Sequence, residues 1–197
     1  MRRLLPYGPQ GCLVEVEDTA AALRLAAWAG TLQLPGVEVV PGARTVLFDG
    51  MGPDAVGALL PSSVPQAPAA TTDAVEVAVR FDGEDLPEVA LAWGCSQAAV
   101  IERLLATQFT SAFVGFAPGF AYLTGLPSGL SVPRRATPRP AVPRGSLALA
   151  GEWCGIYPTS SPGGWQLVGR TDAVLWDPER AEPALLAPGR RVRFVEA

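Results

Sequence analysis

Residues 115–170 read GFAPGFAYLTGLPSGLSVPRRATPRPAVPRGSLALAGEWCGIYPTSSPGGWQLVGR. Proline and glycine interrupt this stretch every few residues, and short apolar runs such as Leu147–Ala150 and Gln166–Gly169 lie between the interruptions. The same cadence continues through Ala173–Trp176 and Arg191–Val195, and it predicts a barrel-like all-β unit. Proline presets φ and removes a donor, while glycine permits positive φ and close backbone approach. Loops built this way hold guanidinium groups in place with little entropy left to lose, which suits recognition of carboxylate or phosphate. Arg134, Arg135, Arg139 and Arg144 fall within about a dozen residues here, more than a plain loop requires.

Working outward, Val75–Phe81 has the pattern of a strand that ends in the turn Asp82-Gly83. Asp85 is expected to cap a helix over Leu86–Trp93 with Gly94 just past its end, and Ser96 a second helix reaching about Ala106. Gln108–Phe116 is a further strand, so a helical pair interrupts the β unit. The first 60 residues predict a separate, small α/β unit. Its elements are a strand at Cys12–Val16, a helix from Asp18 or Thr19 to about Trp28, strands at Val37–Val40 and Thr45–Phe48, and a helix from Pro53 to Leu60. Pro61–Thr72 has no periodic face and reads as a linker. The expected architecture is therefore α+β, with an N-terminal α/β domain over residues 1–70 and a β-barrel domain over residues 71–197.

Composition narrows the chemistry. With 49% hydrophobic and 17% charged residues among 197, the chain is globular rather than disordered. No apolar run approaches the roughly 20 residues of a membrane span, and no cleavable signal opens the chain. Cys12, Cys95 and Cys154 are widely spaced without a CxxC, which argues against a disulfide framework or zinc site and for a cytoplasmic location. All 15 basic side chains are arginine, and there is no histidine. A Ser-His-Asp triad, a Cys-His dyad, a His-ligated metal, a P-loop lysine and a pyridoxal Schiff base are thereby excluded within the chain. Residues 1–115 carry 6 Arg against 13 Asp/Glu, and residues 116–197 carry 9 Arg against 6, so the positive half coincides with the arginine loops. A small anionic ligand fits that distribution better than nucleic acid.

The ordered series Gly115–Leu123 (GF-x-PGF-x-YL), Pro133–Arg139 (PRR-x-x-PR), Val142–Ser146 (VP-x-GS), Tyr157-Pro158 and Ser161–Trp165 (SPGGW) resembles the allophanate hydrolase subunit 1 family, also called the KipI family or the 5-oxoprolinase B-subunit family. Phe81–Ala90 (FDGEDLPEVA) resembles that family's entry into its C-terminal domain. The resemblance implies an N-terminal α/β domain and a cyclophilin-like β-barrel. It implies a partner of the 5-oxoprolinase C-subunit or allophanate hydrolase subunit 2 type, and a third, LamB/YcsF-type protein. The activity it implies is ATP-dependent opening of 5-oxoproline to glutamate, with ATP and magnesium held largely by the partner and no organic prosthetic group. Allophanate or another small amide is the alternative substrate, and inhibition of a histidine kinase the alternative role. Relatives often carry a histidine in the helix before Gly115, where this chain has Leu104-Leu105.

Arg134, Arg135 and Arg139 are the candidate catalytic residues, each able to neutralise carboxylate or phosphoryl charge or, alternatively, to brace the barrel against an acid. Side chains of adjacent residues on an extended segment point to opposite faces, so one of Arg134 and Arg135 is expected to face a ligand and the other a structural partner. Gly115, Phe116, Pro118, Gly119, Phe120 and Tyr122 are candidates for a pocket floor, or for a barrel corner packed by two phenylalanines. Gly163 and Gly164 offer backbone N–H groups to an anion or form a simple turn, with Trp165 as an apolar wall. Ser146 and Tyr157 are placed beside the same cleft, Ser146 without a base to make it a nucleophile. Cys154 is the reactive-residue candidate by chemistry alone, but with no histidine or lysine in the chain to lower its pKa it is not expected to be catalytic. Asp82, Glu84 and Asp85 could serve a metal, but the capping role of Asp85 is the simpler reading, and no metal site is expected.

Overall fold

Alternation sets the first sheet. In Gly11–Glu15 the side chains of Cys12 and Val14 are buried, and in Thr45–Asp49 those of Val46 and Phe48 are buried, so both strands turn the same kind of face inward. The computed structural model describes residues 2–63 and 74–197, and the chain divides into two compact units, Met1–Thr71 and Thr72–Ala197. The linker expected at Pro61–Thr72 lies outside the described residues from position 64 onward.

The first unit is an antiparallel sheet of four strands with two helices. The strands are β1 (Leu4–Tyr7), β2 (Gly11–Glu15), β3 (Glu38–Pro41) and β4 (Thr45–Asp49), in the order β1-β2-β4-β3. Helix α1 (Thr19–Thr31) starts where the Asp18 carboxylate accepts the Ala21 N–H at 2.7 Å. Its Ala22, Leu25 and Ala29 recur at helical spacing and meet Val46, Phe48 and Val56 in one core, Val56 coming from α2 (Pro53–Leu59). Gly30 lies inside α1 rather than ending it, and the helix stops at Leu32. The strand β1 was not expected.

The second unit is built on a seven-stranded sheet curled into a nearly closed barrel. It contains β5 (Val75–Val79), β6 (Phe109–Val114), β7 (Ala121–Thr124), β9 (Ser146–Ala150), β10 (Trp153–Ile156), β12 (Gln166–Arg170) and β13 (Arg191–Glu196), in the order β12-β9-β10-β7-β6-β13-β5. The two end strands meet where Arg80 and Arg170 exchange backbone hydrogen bonds of 2.9 and 2.8 Å, leaving a nearly complete barrel. All sheet pairings are antiparallel except β13 with β5. A short ribbon, β8 (Arg139–Val142) with β11 (Ser161–Gly163), forms a separate sheet. Ala173–Trp176 makes no strand. Trp176 forms a single bridge to Ala184, and Leu175 is buried in the core.

Helices α3 (Leu86–Ala92) and α4 (Gln97–Ala106) lie between β5 and β6 in the chain and bend 86° to each other. The turn between them follows from chemistry at both ends. Cys95 N–H reaches the Ala90 carbonyl and Gly94 N–H the Leu91 carbonyl, the two bonds of a glycine-terminated helix, and Ser96 Oγ then accepts the Ala99 N–H. Leu86, Val89, Val100 and Leu104 face the barrel core, where Phe109 and Phe194 pack with ring centroids 5.1 Å apart. Among the described residues no single helix is long and apolar enough to cross a membrane.

Candidate functional site

The acidic run before α3 and the arginine segment are joined residue by residue. Asp82 pairs with Arg170 at 2.7 Å, and Glu84 pairs with Arg139 Nε at 2.7 Å. Asp85 takes two arginines: Oδ1 accepts from Arg135 Nη1 at 2.6 Å and from Arg139 Nη2 at 2.8 Å, while Oδ2 accepts the Leu167 N–H at 2.7 Å. The expected cap is therefore not made. Asp85 stands at the N-cap position of α3, but its side chain makes no hydrogen bond to the helix. Two guanidinium groups and a strand N–H hold the carboxylate more strongly than one helix N–H can, and Pro87 and Glu88 serve the first turn instead.

This carboxylate is only 3% exposed, and its charge survives burial because it is fully paired. Burial pushes its pKa up. The Arg139 hydrogen bond, the Leu167 N–H and the charges of Arg139 and Arg135 outweigh that and hold it below the ordinary 3.8. Arg139 is 12% exposed, and its guanidinium is held above its ordinary pKa by Asp85 and Glu84 despite burial. The structure thus gives Arg139 a bracing position, and Arg135 the same role with part of its side chain still exposed.

Arg134 stands apart. It is exposed and has no carboxylate partner among the described residues. Its backbone is pinned from both sides, because Arg135 N–H donates to the Gly164 carbonyl at 2.8 Å and Gln166 Nε2 donates to the Pro133 carbonyl at 3.0 Å. Burial raises the Tyr157 pKa, and the Trp165 backbone and the Arg134 charge offset only part of that rise, so the net shift is upward and the phenol stays protonated at neutral pH.

Beside it lies a cluster of aromatic rings. Phe120, Tyr157 and Trp165 are buried, and Phe120 meets the other two edge-on at 5.4 Å and Tyr122 at 5.1 Å. Phe116 covers them at 5.4 Å from Phe120 and 6.3 Å from Tyr157, yet it is 63% exposed. Its φ is +71°, and Ala117 N–H donates to the Gly115 carbonyl at 2.9 Å, a γ-turn in the left-handed region that a phenylalanine rarely occupies. Such a conformation costs on the order of 1–3 kcal/mol and persists only where its surroundings enforce it.

Several sequence candidates have structural occupations. Gly119, expected to admit a ligand to the backbone, is filled from the other side. At φ +83° a Cβ there would lie 2.8 Å from the Trp176 Cβ and 3.2 Å from the Leu175 backbone, so the glycine lets that segment pack. Gly163 belongs to β11, and its missing Cβ makes room for the Tyr157 hydroxyl. Neither Gly163 nor Gly164 has positive φ, so the pair does not form an anion nest. Ser146 is buried, and its hydroxyl donates to the Pro143 carbonyl at 2.8 Å, closing a turn. Gly115 and Pro118 are exposed beside Phe116. Two aromatic members of the cluster were missed: Phe113 stacks on Tyr122 at 4.4 Å and meets Trp153 edge-on at 5.2 Å. The pairing of β6 with β7, which sets Phe113 opposite Tyr122, could not be read from either strand alone.

The cysteines are spectators. Cys12 and Cys154 are buried, and burial pushes the Cys154 thiol far above its ordinary pKa. Cys95 is half-buried and accepts from Arg103 Nη1 at 3.3 Å. A disulfide-exchange reagent is expected to label Cys95 alone in the native protein and all three thiols after denaturation. Rapid native labelling of Cys154 would contradict this assignment.

A barrel carrying an arginine-acid clamp and an aromatic face, preceded by a small α/β unit, defines the class. The chain matches the carboxyltransferase domain, subdomain C and D, over residues 2–186, and belongs to that family. It is 47% identical over 124 residues to the 5-oxoprolinase B subunit of Escherichia coli O157:H7, a match covering 61% of this chain and 57% of that one. The 5-oxoprolinase B subunit of Bacillus subtilis (strain 168) is 42% identical over 124 residues, covering 61% and 52%. The match thus spans about half the length of these curated relatives. The crystal structure of TTHA0988 superposes with a TM-score of 0.77 at 37% identity, covering 100% of this chain and 40% of that chain.

Proposed function

We propose that this chain acts as the B-type subunit of an ATP-dependent 5-oxoprolinase, supplying one wall of a composite active site. The observation that carries the reading is the 42–47% identity over 124 residues to proteins named as 5-oxoprolinase B subunits. The site chemistry supports it. Arg134 is a free guanidinium held by anchored neighbours, suited to the carboxylate of 5-oxoproline or to phosphoryl oxygens. Phe116 and Pro118 offer an apolar rim for the ring.

A lactam is a poor electrophile, and transfer of the ATP γ-phosphoryl group to its oxygen makes the ring carbon open to water. Attack by one water and cleavage of the C–N bond then give γ-glutamyl phosphate, and a second water displaces the phosphate to leave glutamate. For proton transfer this face offers no histidine or lysine, neither of which exists in the 197 residues; Cys154 is buried, and Asp82, Glu84 and Asp85 are each paired with arginine. Magnesium prefers free carboxylate oxygens, so the residues here do not fit it. We assign Mg-ATP and the proton-transfer groups to a partner of the C-subunit type, with a LamB/YcsF-type protein completing hydrolysis.

The test is reconstitution. The three proteins together are expected to release glutamate from 5-oxoproline in the presence of ATP, and this chain alone to release none. Robust turnover by the isolated chain would refute the composite site. If the three proteins consume allophanate and leave 5-oxoproline intact, the substrate assignment fails.

A further inference from the structure

The first 71 residues contain four arginines, no lysine and no histidine. All four, Arg2, Arg3, Arg24 and Arg44, line a single groove of about 740 Å³ in the N-terminal unit. They arrive from three different places: the approach to β1, the middle of α1 and the turn between β3 and β4. Of that unit's acids only Glu15 and Glu17 line the groove, while Asp18, Glu38, Asp49 and Asp54 do not. Four arginines against two glutamates leave two positive charges in a unit whose other charges are all negative.

The pairs inside the groove are loose. Arg3 stands 3.7 Å from Glu15 and Arg24 3.6 Å from Glu17, against about 2.7–2.9 Å for a charge-assisted hydrogen bond. Arg2 donates to the Pro61 carbonyl at 3.1 Å, and Arg44 has no ion pair among the described residues. Their backbones, by contrast, are fixed. The Arg3 carbonyl accepts Glu15 N–H at 2.9 Å and the Arg44 carbonyl accepts Val16 N–H at 3.0 Å, so the two arginines flank the end of β2 from either side. Thr19 Oγ1 donates to the Ala43 carbonyl at 2.9 Å and ties the Arg44 turn to the start of α1. Cations with fixed backbones and weakly held heads are what an anion site needs before its ligand arrives.

We propose that this groove binds a small anion carrying two or more negative charges on phosphate or carboxylate oxygens. The volume falls within the range of small-molecule sites, roughly 300–1,000 Å³. The binding is independent of the catalytic reading, since every lining residue belongs to the N-terminal unit and no turnover is involved.

Calorimetric titration of the full chain at low ionic strength tests it, with inorganic phosphate, magnesium-free ATP and succinate as separate probes. At least one is expected to bind saturably, and which one does so distinguishes a phosphate ligand from a dicarboxylate. The double substitution Arg24→Gln/Arg44→Gln is expected to weaken that binding tenfold or more, and Glu17→Gln, which releases Arg24, to tighten it about threefold. Arg144→Gln, the same charge change at an exposed position of the other unit, is expected to leave it unchanged. Absence of saturable binding by all three probes overturns the proposal. So does a double variant that binds like the parent while its circular dichroism is unaltered, or weaker binding by Glu17→Gln.

Discussion

Asp85→Ala is expected to destabilise the barrel unit by about 3–5 kcal/mol, the range for removing one partner of a buried ion pair. The carboxylate receives three hydrogen bonds from residues 50 to 82 positions away, so its loss frees the arginine segment and part of β12 together. Arg139, 12% exposed, would keep its charge with only Glu84 to balance it. Asp85→Asn keeps the shape and one acceptor and is expected to cost less. Urea unfolding of the three proteins gives the comparison, and parent-like stability of Asp85→Ala would show that the clamp does not hold the barrel together. The pH dependence has a definite sign. Because the folded-state pKa lies below the ordinary 3.8, the Asp85 contribution is fully present above that value and is lost as pH falls through the folded pKa. Asp85→Asn should therefore flatten the acid limb of the stability curve and leave its neutral and alkaline parts parallel to the parent's.

Arg134→Gln is expected to do the opposite: leave stability within about 0.5 kcal/mol of the parent, as for other exposed substitutions, and lower kcat in the reconstituted complex by about 10²–10³, the loss typical of one electrostatic donor. Arg134→Lys retains the charge without the planar fork and should recover only part of the rate. The pair of measurements separates function from folding, because Arg139→Gln is expected to lower both. An Arg134→Gln complex with undiminished turnover would show that the exposed guanidinium does not touch the reacting groups.

Local chemistry was legible in the sequence where it was self-contained. Ser96 caps α4 and Asp18 caps α1 because a short side chain needs only its own next turn. Asp85 had the same signature and took a different role, since its partners Arg135 and Arg139 come from a segment whose proximity depends on the whole barrel. The strands β1, β8 and β11 escaped notice for a shared reason. Each contains a proline (Pro6, Pro140, Pro162), which reads as a break and is tolerated only at an edge. β1 and β3 are the outer strands of the first sheet, and β8 with β11 is a two-stranded ribbon, so all three prolines sit where a missing donor is harmless. Ala173–Trp176 failed in the other direction: its continuous apolar run suits a strand, but Leu175 is spent on the core and Trp176 packs on Gly119. At the site, the abundance of arginine was plain from the sequence. Which of Arg134, Arg135 and Arg139 remains unpaired was not, because that depends on acids recruited from before α3.

The pairing of β13 with β5 has a bearing on how the chain comes into being. The second unit's first strand finds its parallel neighbour only in its last, and β13 in turn bridges β5 to β6. During synthesis, the N-terminal unit can close its own sheet early from residues that are near one another along the chain. The barrel must wait, with β5 and β6 showing open edges, until Arg191–Glu196 has been made. Long-range closure of this kind slows folding and leaves apolar strands open to wrong partners in the interval. Closure of the barrel around the clamp between Asp85 and its arginines therefore depends on β13 joining β5 to β6.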